Sequence, residues 1–327
     1  MSVQKLPLYH RPSALIFLDD EPSYLEMLAM VLPRQWSIRL HTRINDYLAS
    51  VNQSSELWEA DASLHQDMVD QWHQGGSLPA QVLAYWKTQP QRFALPMITV
   101  VDFAMPAATG LQVLQSSPAW PPHRILLTGK ADEQTAVSAF NDGLINRFLT
   151  KQHPDLVQQL LHFLNQLHRS PFAAHESIWR NALRKSQQLS LQDREVQQSI
   201  AQWLKQHSCV EYVILPEPFG LLALDGSGHA HWLQFERYKD LAATLDVARA
   251  ADVAPDDLRK IAQGLALSNA EWCQAMQTGE PPSVAPTQVW GTGGHFLAAH
   301  FTLESVGKQG LSYEEFLAQL PAREVDL

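Results

Sequence analysis

Ile98-Thr99-Val100-Val101-Asp102 is the stretch that decides the fold of the first half of this chain, because a short apolar and β-branched run ends there on a carboxylate. Three other runs end on polar groups in the same way: Leu15-Ile16-Phe17-Leu18-Asp19-Asp20, Arg124-Ile125-Leu126-Leu127-Thr128-Gly129 and Arg147-Phe148-Leu149-Thr150-Lys151. Continuous apolar runs of this length are typical of strands buried in a parallel sheet. Because chemistry in open parallel sheets lies beyond the carboxyl ends of the strands, we expect these polar groups to meet at one place.

Helical patterns separate these runs along the chain. Residues 133–142 and 154–168 each carry apolar residues at helical spacing, and Ser37 to Thr42 is a plausible additional strand. Strands that alternate with helices favour right-handed crossovers and a doubly wound sheet. We therefore predict an α/β fold with a doubly wound, five-stranded parallel sheet for the first half of the chain.

The segment 43–94 interrupts this alternation with two additional helical patterns. We predict a helical insertion that packs on the sheet. The alternative is a docking surface built from Trp58, Trp72 and Trp86, because tryptophan is enriched at protein interfaces.

The second half of the chain has a different character. Residues 169–207 have a helical pattern whose last part carries Val196, Ile200 and Trp203 on one face, which predicts a helical linker. This face is interpreted either as a coupling rod or dimer seam, or as the buried face of an ordinary core helix. Residues 208–327 mix strand and helix patterns without regular alternation, which predicts a second, α+β domain. We therefore expect one domain at 1–168 and another at 208–327, joined by this linker.

Two Ser-x-x-Glu spacings in the second half resemble capping boxes. They are Ser268 with Glu271 and Ser312 with Glu315. In such a box the serine hydroxyl and the glutamate carboxylate each accept a backbone N–H at the beginning of a helix. We predict a helix beginning at each of these serines.

Charge and cysteine content narrow the class of protein. The chain has 24 Lys and Arg against 34 Asp and Glu, and a formal charge of −10 disfavours a nucleic-acid partner. Its largest basic cluster, Arg180, Arg184 and Lys185, is small. Cys209 and Cys273 give neither a disulfide framework nor a zinc spacing. No apolar stretch is long enough for a signal peptide or a membrane span, so we expect a cytoplasmic protein with no membrane partner.

The predicted cluster of three carboxylates needs a counter-charge. Carboxylates near 4 Å from one another repel by about 1–4 kcal/mol per pair at surface-like dielectric. Magnesium is a suitable partner because it prefers oxygen ligands and retains several waters. With Lys151 and Thr128 beside the metal, a third carboxylate is placed to attack phosphorus, and an aspartyl phosphate is a known covalent product of such attack.

Four motifs in order along the chain carry a resemblance to a known family. They are Asp19-Asp20-Glu21-Pro22, Asp102-Phe103-Ala104-Met105-Pro106 with Gly110, Leu127-Thr128-Gly129, and Phe148-Leu149-Thr150-Lys151. Over about residues 12–168 the chain resembles the receiver domain of bacterial two-component response regulators. The second half resembles no family that these motifs identify. The resemblance implies a flavodoxin-like fold of the CheY type.

The resemblance also implies a role for each matched residue. Asp102 would be the phosphoacceptor. Asp19, Asp20, Asp102 and the main-chain carbonyl of Ala104 would bind Mg²⁺. Thr128 and Lys151 would hold the phosphoryl group, and Phe148 would be the switch aromatic that moves inward when Thr128 engages phosphate. A sensor histidine kinase or a phosphotransfer protein would be the phosphoryl donor.

Two features depart from the family pattern. The 43–94 insertion makes the segment between Asp20 and Asp102 roughly twice the usual length. The proline that normally follows the lysine is absent, since Gln152 and His153 precede Pro154. Because a proline at that position often has a cis peptide bond, its absence means that the family pattern does not predict the conformation of the loop after Lys151.

The implied function is a response regulator whose phosphorylation switches a C-terminal output domain. Since no basic recognition helix is visible, we expect the output to be protein–protein interaction or homodimerisation. A phosphorylation-gated enzyme or a small-ligand-binding domain is the alternative, and a DNA-binding regulator is less favoured. Beyond phosphorylation and dephosphorylation of the receiver itself, the sequence indicates no enzymatic activity.

Two weaker signals lie in the second half. Gly291-Thr292-Gly293-Gly294 is interpreted as a hairpin turn, with a phosphate-binding loop as the alternative, because it lacks the Lys-Ser/Thr of a P-loop. His229, His231, His295 and His300 are interpreted as ordinary strand histidines, with a metal site as the alternative.

Overall fold

The structure is a computed structural model that describes residues 6–118, 121–129, 133–168, 170, 172–320 and 323. Its strands are β1 (Tyr9–His10), β2 (Ala14–Leu18), β3 (Ile38–His41), β4 (Pro96–Asp102), β5 (His123–Thr128), β6 (Arg147–Thr150), β7 (Cys209–Pro216), β8 (Phe219–Asp225), β9 (Ala230–Arg237), β10 (Ala266–Ser268), β11 (Val284–Pro286), β12 (Gln288–Trp290) and β13 (Phe296–Thr302).

The helices are α1 (Pro22–Val31), α2 (Ile44–His73), α3 (Leu78–Thr88), α4 (Gly110–Ser116), α5 (Glu133–Asn141), α6 (Leu156–His168), α7 (Ala173–Ala182), α8 (Lys185–Gln192), α9 (Arg194–Gln206), α10 (Leu241–Ala250), α11 (Pro255–Ala262), α12 (Ala270–Met276) and α13 (Tyr313–Gln319). Short 3-10 helices lie at Pro90–Ala94, Tyr238–Asp240 and Glu304–Val306.

The chain folds into two compact units, and neither is continuous in sequence. The first, here called the parallel unit, comprises Pro12–Ala62, Gln91–Ser170 and Phe316–Leu327. The second, here called the antiparallel unit, comprises Met1–Arg11, Ser63–Pro90 and Pro171–Glu315. The predicted boundary at 168/169 falls beside Arg169 and Pro171, which lie outside the described residues.

The parallel unit contains the predicted five-stranded sheet, in the order β3-β2-β4-β5-β6. All four strand pairs are parallel, with Asp102 opposite Leu127 and Thr128 opposite Thr150. β2 and β4 are buried along their whole length, as expected for continuous apolar runs covered on both faces. The predicted α/β class and parallel sheet are confirmed.

Helix α1 begins shortly after β2, which is followed by Asp19, and helix α4 begins shortly after β4, which ends at Asp102. Pro22 occupies the first turn of α1, where its missing N–H leaves no intrahelical bond unmade. Thr109 and Gln112 form a capping box at the beginning of α4. At the other end of α1, the Arg323 guanidinium donates to the carbonyls of Ala29 and Leu32.

The 43–94 insertion is helical, as predicted, and consists of α2, α3 and the 3-10 helix that follows. Trp58 is buried, and its indole N–H donates to the Pro96 carbonyl at 2.9 Å. Trp86 is also buried, and Trp72 is half-buried. The alternative of a docking surface built from Trp58, Trp72 and Trp86 is wrong, because two of the three indoles are not accessible.

The antiparallel unit is built on a six-stranded sheet in the order β1-β7-β8-β9-β13-β12, with β10 and β11 as a separate pair. All pairings are antiparallel. Its first strand is Tyr9–His10, which pairs with β7. The predicted second α+β domain is therefore confirmed as a fold, with an additional strand from the beginning of the chain.

The predicted helical segment 169–207 consists of α7, α8 and α9. The stripe of Val196, Ile200 and Trp203 on α9 is buried. Asp193 caps α9 by accepting the backbone N–H groups of Glu195 and Val196. This face of α9 is therefore part of a packed core.

One of the two predicted capping boxes is present. Ser312 and Glu315 exchange both hydrogen bonds. Ser268 is the last residue of β10, and among the described residues its hydroxyl accepts only from the Ala270 N–H, so α12 begins after Asn269 without the predicted box. In the described part of the chain, no helix is both long and apolar enough to cross a membrane.

Candidate functional site

The predicted site lies at the carboxyl ends of strands in the parallel sheet. Asp19 follows β2, Asp102 ends β4, Thr128 ends β5 and Lys151 follows β6. The parallel register brings these ends to one edge of the sheet. The Lys151 backbone N–H donates to the Thr128 carbonyl at 2.8 Å, which fixes the lysine beside the neighbouring strand.

The Lys151 ammonium bridges two carboxylates. Its Nζ is 2.7 Å from Asp19 Oδ2 and 2.7 Å from Asp102 Oδ1. The lysine side chain is 22% exposed, whereas the Asp19 and Asp102 side chains are almost completely buried. Burial lowers the pKa of Lys151, but its hydrogen bonds to Asp102 and Asp19 raise it, and the net direction is upward. The ammonium therefore stays charged at neutral pH.

Three carboxylates converge at this site. One oxygen each from Asp19, Asp20 and Asp102 lies within 4.8 Å of the other two, and Asp20 is exposed to solvent. Burial raises the pKa of the Asp19 carboxyl, and although Lys151 lowers it, the net direction is upward. Three carboxylates with one ammonium leave an excess of negative charge. A cation with a preference for oxygen ligands therefore fits this donor set.

The backbone around Asp102 holds its carboxylate in a fixed position. Asp102 Oδ2 accepts the Ala104 N–H at 3.0 Å. The Gly110 N–H donates to the Phe103 carbonyl at 2.9 Å, which closes the loop between β4 and α4. A Cβ atom on Gly110 would lie 2.1 Å from the Asp102 carbonyl oxygen, so this close approach requires glycine.

Thr128 and Phe148 lie on the two strands that follow Asp102 across the sheet. Thr128 is completely buried, and its Oγ1 donates to the Gly129 carbonyl at 3.0 Å. Phe148 is half-buried and packs against the core cluster that contains Val101 and Leu126. In this structure the Thr128 hydroxyl is hydrogen-bonded to the carbonyl of the next residue, and its predicted role with a phosphoryl group stays a prediction.

The loop after Lys151 is closed by local hydrogen bonds. The His153 N–H donates to the Thr150 carbonyl at 3.0 Å, and the Asp155 N–H donates to His153 Nδ1 at 3.1 Å. Gln152 and His153 thus form a turn in the place of the missing proline. This turn leads directly into α6.

Tyr24 belongs to this site, although no sequence motif pointed to it. The Lys151 Nζ lies 4.4 Å from the centroid of the Tyr24 ring, which is a cation–π contact. Burial raises the pKa of the phenol, and the nearby Asp19 and Asp102 carboxylates raise it further. The hydroxyl is buried and makes no hydrogen bond to any described residue. Its position in the first turn of α1, shortly after Asp20, was the available signal.

The histidines of the second half are only partly brought together. His231 Nδ1 lies 3.3 Å from His300 Nε2, and His229 and His231 both approach Asp225 Oδ2, at 3.5 and 3.6 Å. His295 lies elsewhere, beside a cleft. Across the described ranges, these histidines do not form a group of three ligands compact enough for a metal ion.

The glycine-rich segment forms the turn of the β12–β13 hairpin. The Thr292 N–H donates to Asp193 Oδ2 at 3.0 Å, and the Gly294 N–H donates to the Gly291 carbonyl at 3.0 Å. Because these amides already have acceptors, they do not form a cradle for phosphate. The hairpin interpretation is confirmed.

Comparison with known proteins gives a structural match over the full length. The chain matches no protein-family model and no curated protein sequence. The solved structure of the Legionella pneumophila response regulator LqsR matches 98% of this chain and 98% of its own, with a TM-score of 0.69 and 22% identity. A receiver domain protein of Clostridium thermocellum matches 48% of this chain and 95% of its own, with a TM-score of 0.31 and 16% identity.

A third match is the BeF3-activated DrrB receiver domain, which covers 48% of this chain and 97% of its own, with a TM-score of 0.31 and 14% identity. The match with LqsR extends over nearly the whole of both chains. This chain therefore has the fold of a response regulator with a receiver domain, as the motifs predicted.

Proposed function

We propose that this chain is a two-component response regulator that accepts a phosphoryl group on Asp102. The observation that supports this most strongly is the ammonium of Lys151, which lies 2.7 Å from both Asp19 and Asp102. A lysine that bridges two buried carboxylates at the carboxyl edge of a parallel sheet is placed to bind an incoming anionic group. The fold shared with LqsR over the full length is consistent with this function.

In the proposed reaction, an Asp102 oxygen attacks the phosphorus of a phosphohistidine. The new P–O bond forms as the P–N bond to the donor imidazole breaks, and the imidazole takes up a proton from solvent. Lys151 exchanges one carboxylate contact for a phosphoryl oxygen. The Ala104 N–H, which now donates to Asp102, remains beside the acceptor carboxylate.

Asp19, Asp20, Asp102 and the main-chain carbonyl of Ala104 would hold Mg²⁺. When bound, Mg²⁺ offsets the negative charge that builds up on the phosphoryl oxygens in the transition state. The three carboxylates supply oxygen atoms, which are the ligands that Mg²⁺ prefers.

Phosphorylation would then change the packing around Thr128 and Phe148. A phosphoryl group adds a charge of about −1.5 to −2 and several acceptor oxygens. We infer that the Thr128 hydroxyl turns from the Gly129 carbonyl to a phosphoryl oxygen, and that Phe148 fills the space which this movement opens. Phe148 is only half-buried now, so it has room to become more buried.

The proposed partners follow from the same chemistry. A sensor histidine kinase or a phosphotransfer protein would supply the phosphoryl group. The proposed output is binding to another protein or homodimerisation, since a formal charge of −10 opposes general binding to nucleic acid.

The direct test is phosphorylation of the full-length chain by acetyl phosphate in the presence of Mg²⁺, with the modified residue located by mass spectrometry. We expect one added phosphoryl group, on Asp102, that is lost in Asp102→Asn and retained in the matched control Asp142→Asn, whose side chain is exposed in the same unit. Retention of the label by Asp102→Asn, or its absence from the unmodified sequence, would contradict the proposal.

A further inference from the structure

The antiparallel unit contains a cleft of about 680 Å³ that the proposed phosphorylation does not use. Residues of α8 and α9, among them Leu189, line one part of it, and Tyr238 and Trp290 line another. Its volume falls within the range of about 300–1,000 Å³ that is typical of small-molecule sites. We call it the output cleft.

The interior of the output cleft is apolar and aromatic. Val196, Trp290 and Phe296 are buried residues in its lining. Leu189 and Tyr238, which also line it, remain 58% and 51% exposed. Large apolar side chains left exposed around a concave surface indicate that an apolar group completes the packing there.

Two cations flank the exposed tyrosine. Arg237 and Lys239 both line the output cleft. Arg237 forms an ion pair with Asp240, which lies outside the lining. Lys239 forms no ion pair with any residue in the described part of the chain. An ammonium group is therefore available at the edge of an apolar cleft.

The carboxylate found in the described lining is already occupied. Asp193 accepts the N–H groups of Glu195, Val196 and Thr292, and these hydrogen bonds hold its pKa below the ordinary value. Asp193 therefore caps α9 and also binds the turn of the β12–β13 hairpin. Because Arg237 is paired with Asp240 and Asp193 accepts three backbone N–H groups, Lys239 is the one charged group of the described lining without a partner, on a chain whose overall charge is −10. A local positive charge of this kind favours an anionic ligand.

We propose that the output cleft binds an anionic amphiphile, in which a carboxylate or phosphate is attached to an apolar chain or ring. The apolar part contacts Leu189, Trp290 and Phe296. Because the Thr292 and Gly294 N–H groups are already bonded, the anionic group is held by the ammonium of Lys239. Binding at this site does not involve Asp102, so the antiparallel unit would respond to this ligand independently of phosphorylation.

Displacement of a fluorescent dye from the full-length chain tests this proposal. The probe is 8-anilinonaphthalene-1-sulfonate, and the competitors are decanoate, decyl phosphate and decanol, each below its aggregation concentration. We expect either anion to displace the dye and decanol to do so about two- to five-fold less effectively, since an exposed ion pair contributes up to about that much affinity. The two anions distinguish a carboxylate ligand from a phosphate ligand. Failure of both anions, or equal displacement by decanol, would overturn the proposal.

Two pairs of matched variants locate the binding. Leu189→Asp should abolish displacement by decanoate, whereas Leu265→Asp, at a leucine that is 59% exposed and outside the cleft, should not. Lys239→Met should weaken the binding of decanoate about two- to five-fold without affecting decanol, whereas Lys205→Met on α9 should leave both unchanged. Equal effects within either pair would place the dye elsewhere and overturn the proposal. Circular dichroism of each variant establishes that it is folded.

Discussion

The ammonium of Lys151 lies 4.4 Å from the centroid of the Tyr24 ring, so the lysine is held by an aromatic face as well as by two carboxylates. A cation–π contact of this kind contributes about 0.5–2 kcal/mol. We predict that Tyr24→Leu slows labelling by acetyl phosphate about two- to five-fold, because the lysine loses part of its support. The initial rate of labelling measures this effect.

Tyr24→Phe is the matched control for that prediction. The ring remains, and the lost hydroxyl has no partner among the described residues. In Tyr24→Phe we expect the labelling rate to stay within about two-fold of the unmodified protein. Because the variant removes a buried hydroxyl that has no partner among the described residues, we expect its free energy of unfolding to rise by up to about 1 kcal/mol. A rate as low as that of Tyr24→Leu would show that the hydroxyl, not the ring, supports the reaction.

Gly110 should tolerate no side chain. In Gly110→Ala the new Cβ would lie 2.1 Å from the Asp102 carbonyl oxygen, so the loop between Asp102 and Gly110 must move. We predict a loss of at least about 2 kcal/mol in the free energy of unfolding and a large fall in labelling. Urea denaturation and acetyl phosphate labelling measure the two effects.

Gly143→Asn is the control for Gly110→Ala. Gly143 has a φ of +72°, a Cβ atom added there would meet no described atom within 4 Å, and asparagine tolerates this backbone conformation. Labelling and stability should change little in this variant. If Gly110→Ala behaves like this control, the close approach to Asp102 does not constrain the loop.

Asp20 is the accessible member of the carboxylate cluster, and its removal should weaken Mg²⁺ binding. We predict that Asp20→Asn raises the Mg²⁺ concentration for half-maximal labelling about ten-fold or more, since one charged oxygen ligand is lost. Glu26→Gln, an exposed position on α1, should leave that concentration unchanged. An unaltered Mg²⁺ dependence in Asp20→Asn would argue against the proposed ligand set.

The His231–His300 pair should make stability depend on pH. Burial and the nearby His207 and His231 together lower the pKa of His300 to about 4, while burial also lowers the pKa of His231 despite Asp225. Since the unfolded chain binds these protons more readily, the folded state is favoured above about pH 6.5 and loses that advantage as the pH falls toward 4. For His300 we expect a loss of about 1–2 kcal/mol in the free energy of unfolding over this window.

His300→Asn tests this pH dependence by removing one of the two groups. The difference in the free energy of unfolding between about pH 7 and pH 4.5 should become smaller in the variant. His123, whose pKa burial also lowers to about 4, contributes separately and is unchanged in this comparison. An identical pH dependence in the variant and the unmodified protein would contradict the assignment to His300.

The parallel sheet and the positions of its polar groups could be predicted because buried parallel strands are continuous apolar runs. Asp19, Asp102, Thr128 and Lys151 lie at strand ends for that reason, and the geometry follows from the register. Tyr24 was missed because an aromatic residue on a helix is usually part of the core, and its contact with Lys151 depends on how α1 packs.

The second half was less predictable for physical reasons. Tyr9–His10 is too short to show any periodicity, and its pairing with β7 joins residues about 200 positions apart, which no local pattern reveals. The Ser-x-x-Glu spacing correctly predicted a capping box at Ser312. At Ser268 the predicted box was wrong, because this residue is held in a strand by its pairing with Val284. Tertiary pairing overrides a local capping signal when the two compete.

The backbone passes from one compact unit to the other five times, after Arg11, Ala62, Pro90, Ser170 and Glu315. A fragment cut at residue 168 would carry Tyr9–His10 without their partner strand and would leave the end of α1 without the Arg323 guanidinium. Exchange of residues 1–168 for the corresponding part of another protein by a single crossover in the gene would therefore damage both units. A functional exchange with another protein would therefore have to include both units together.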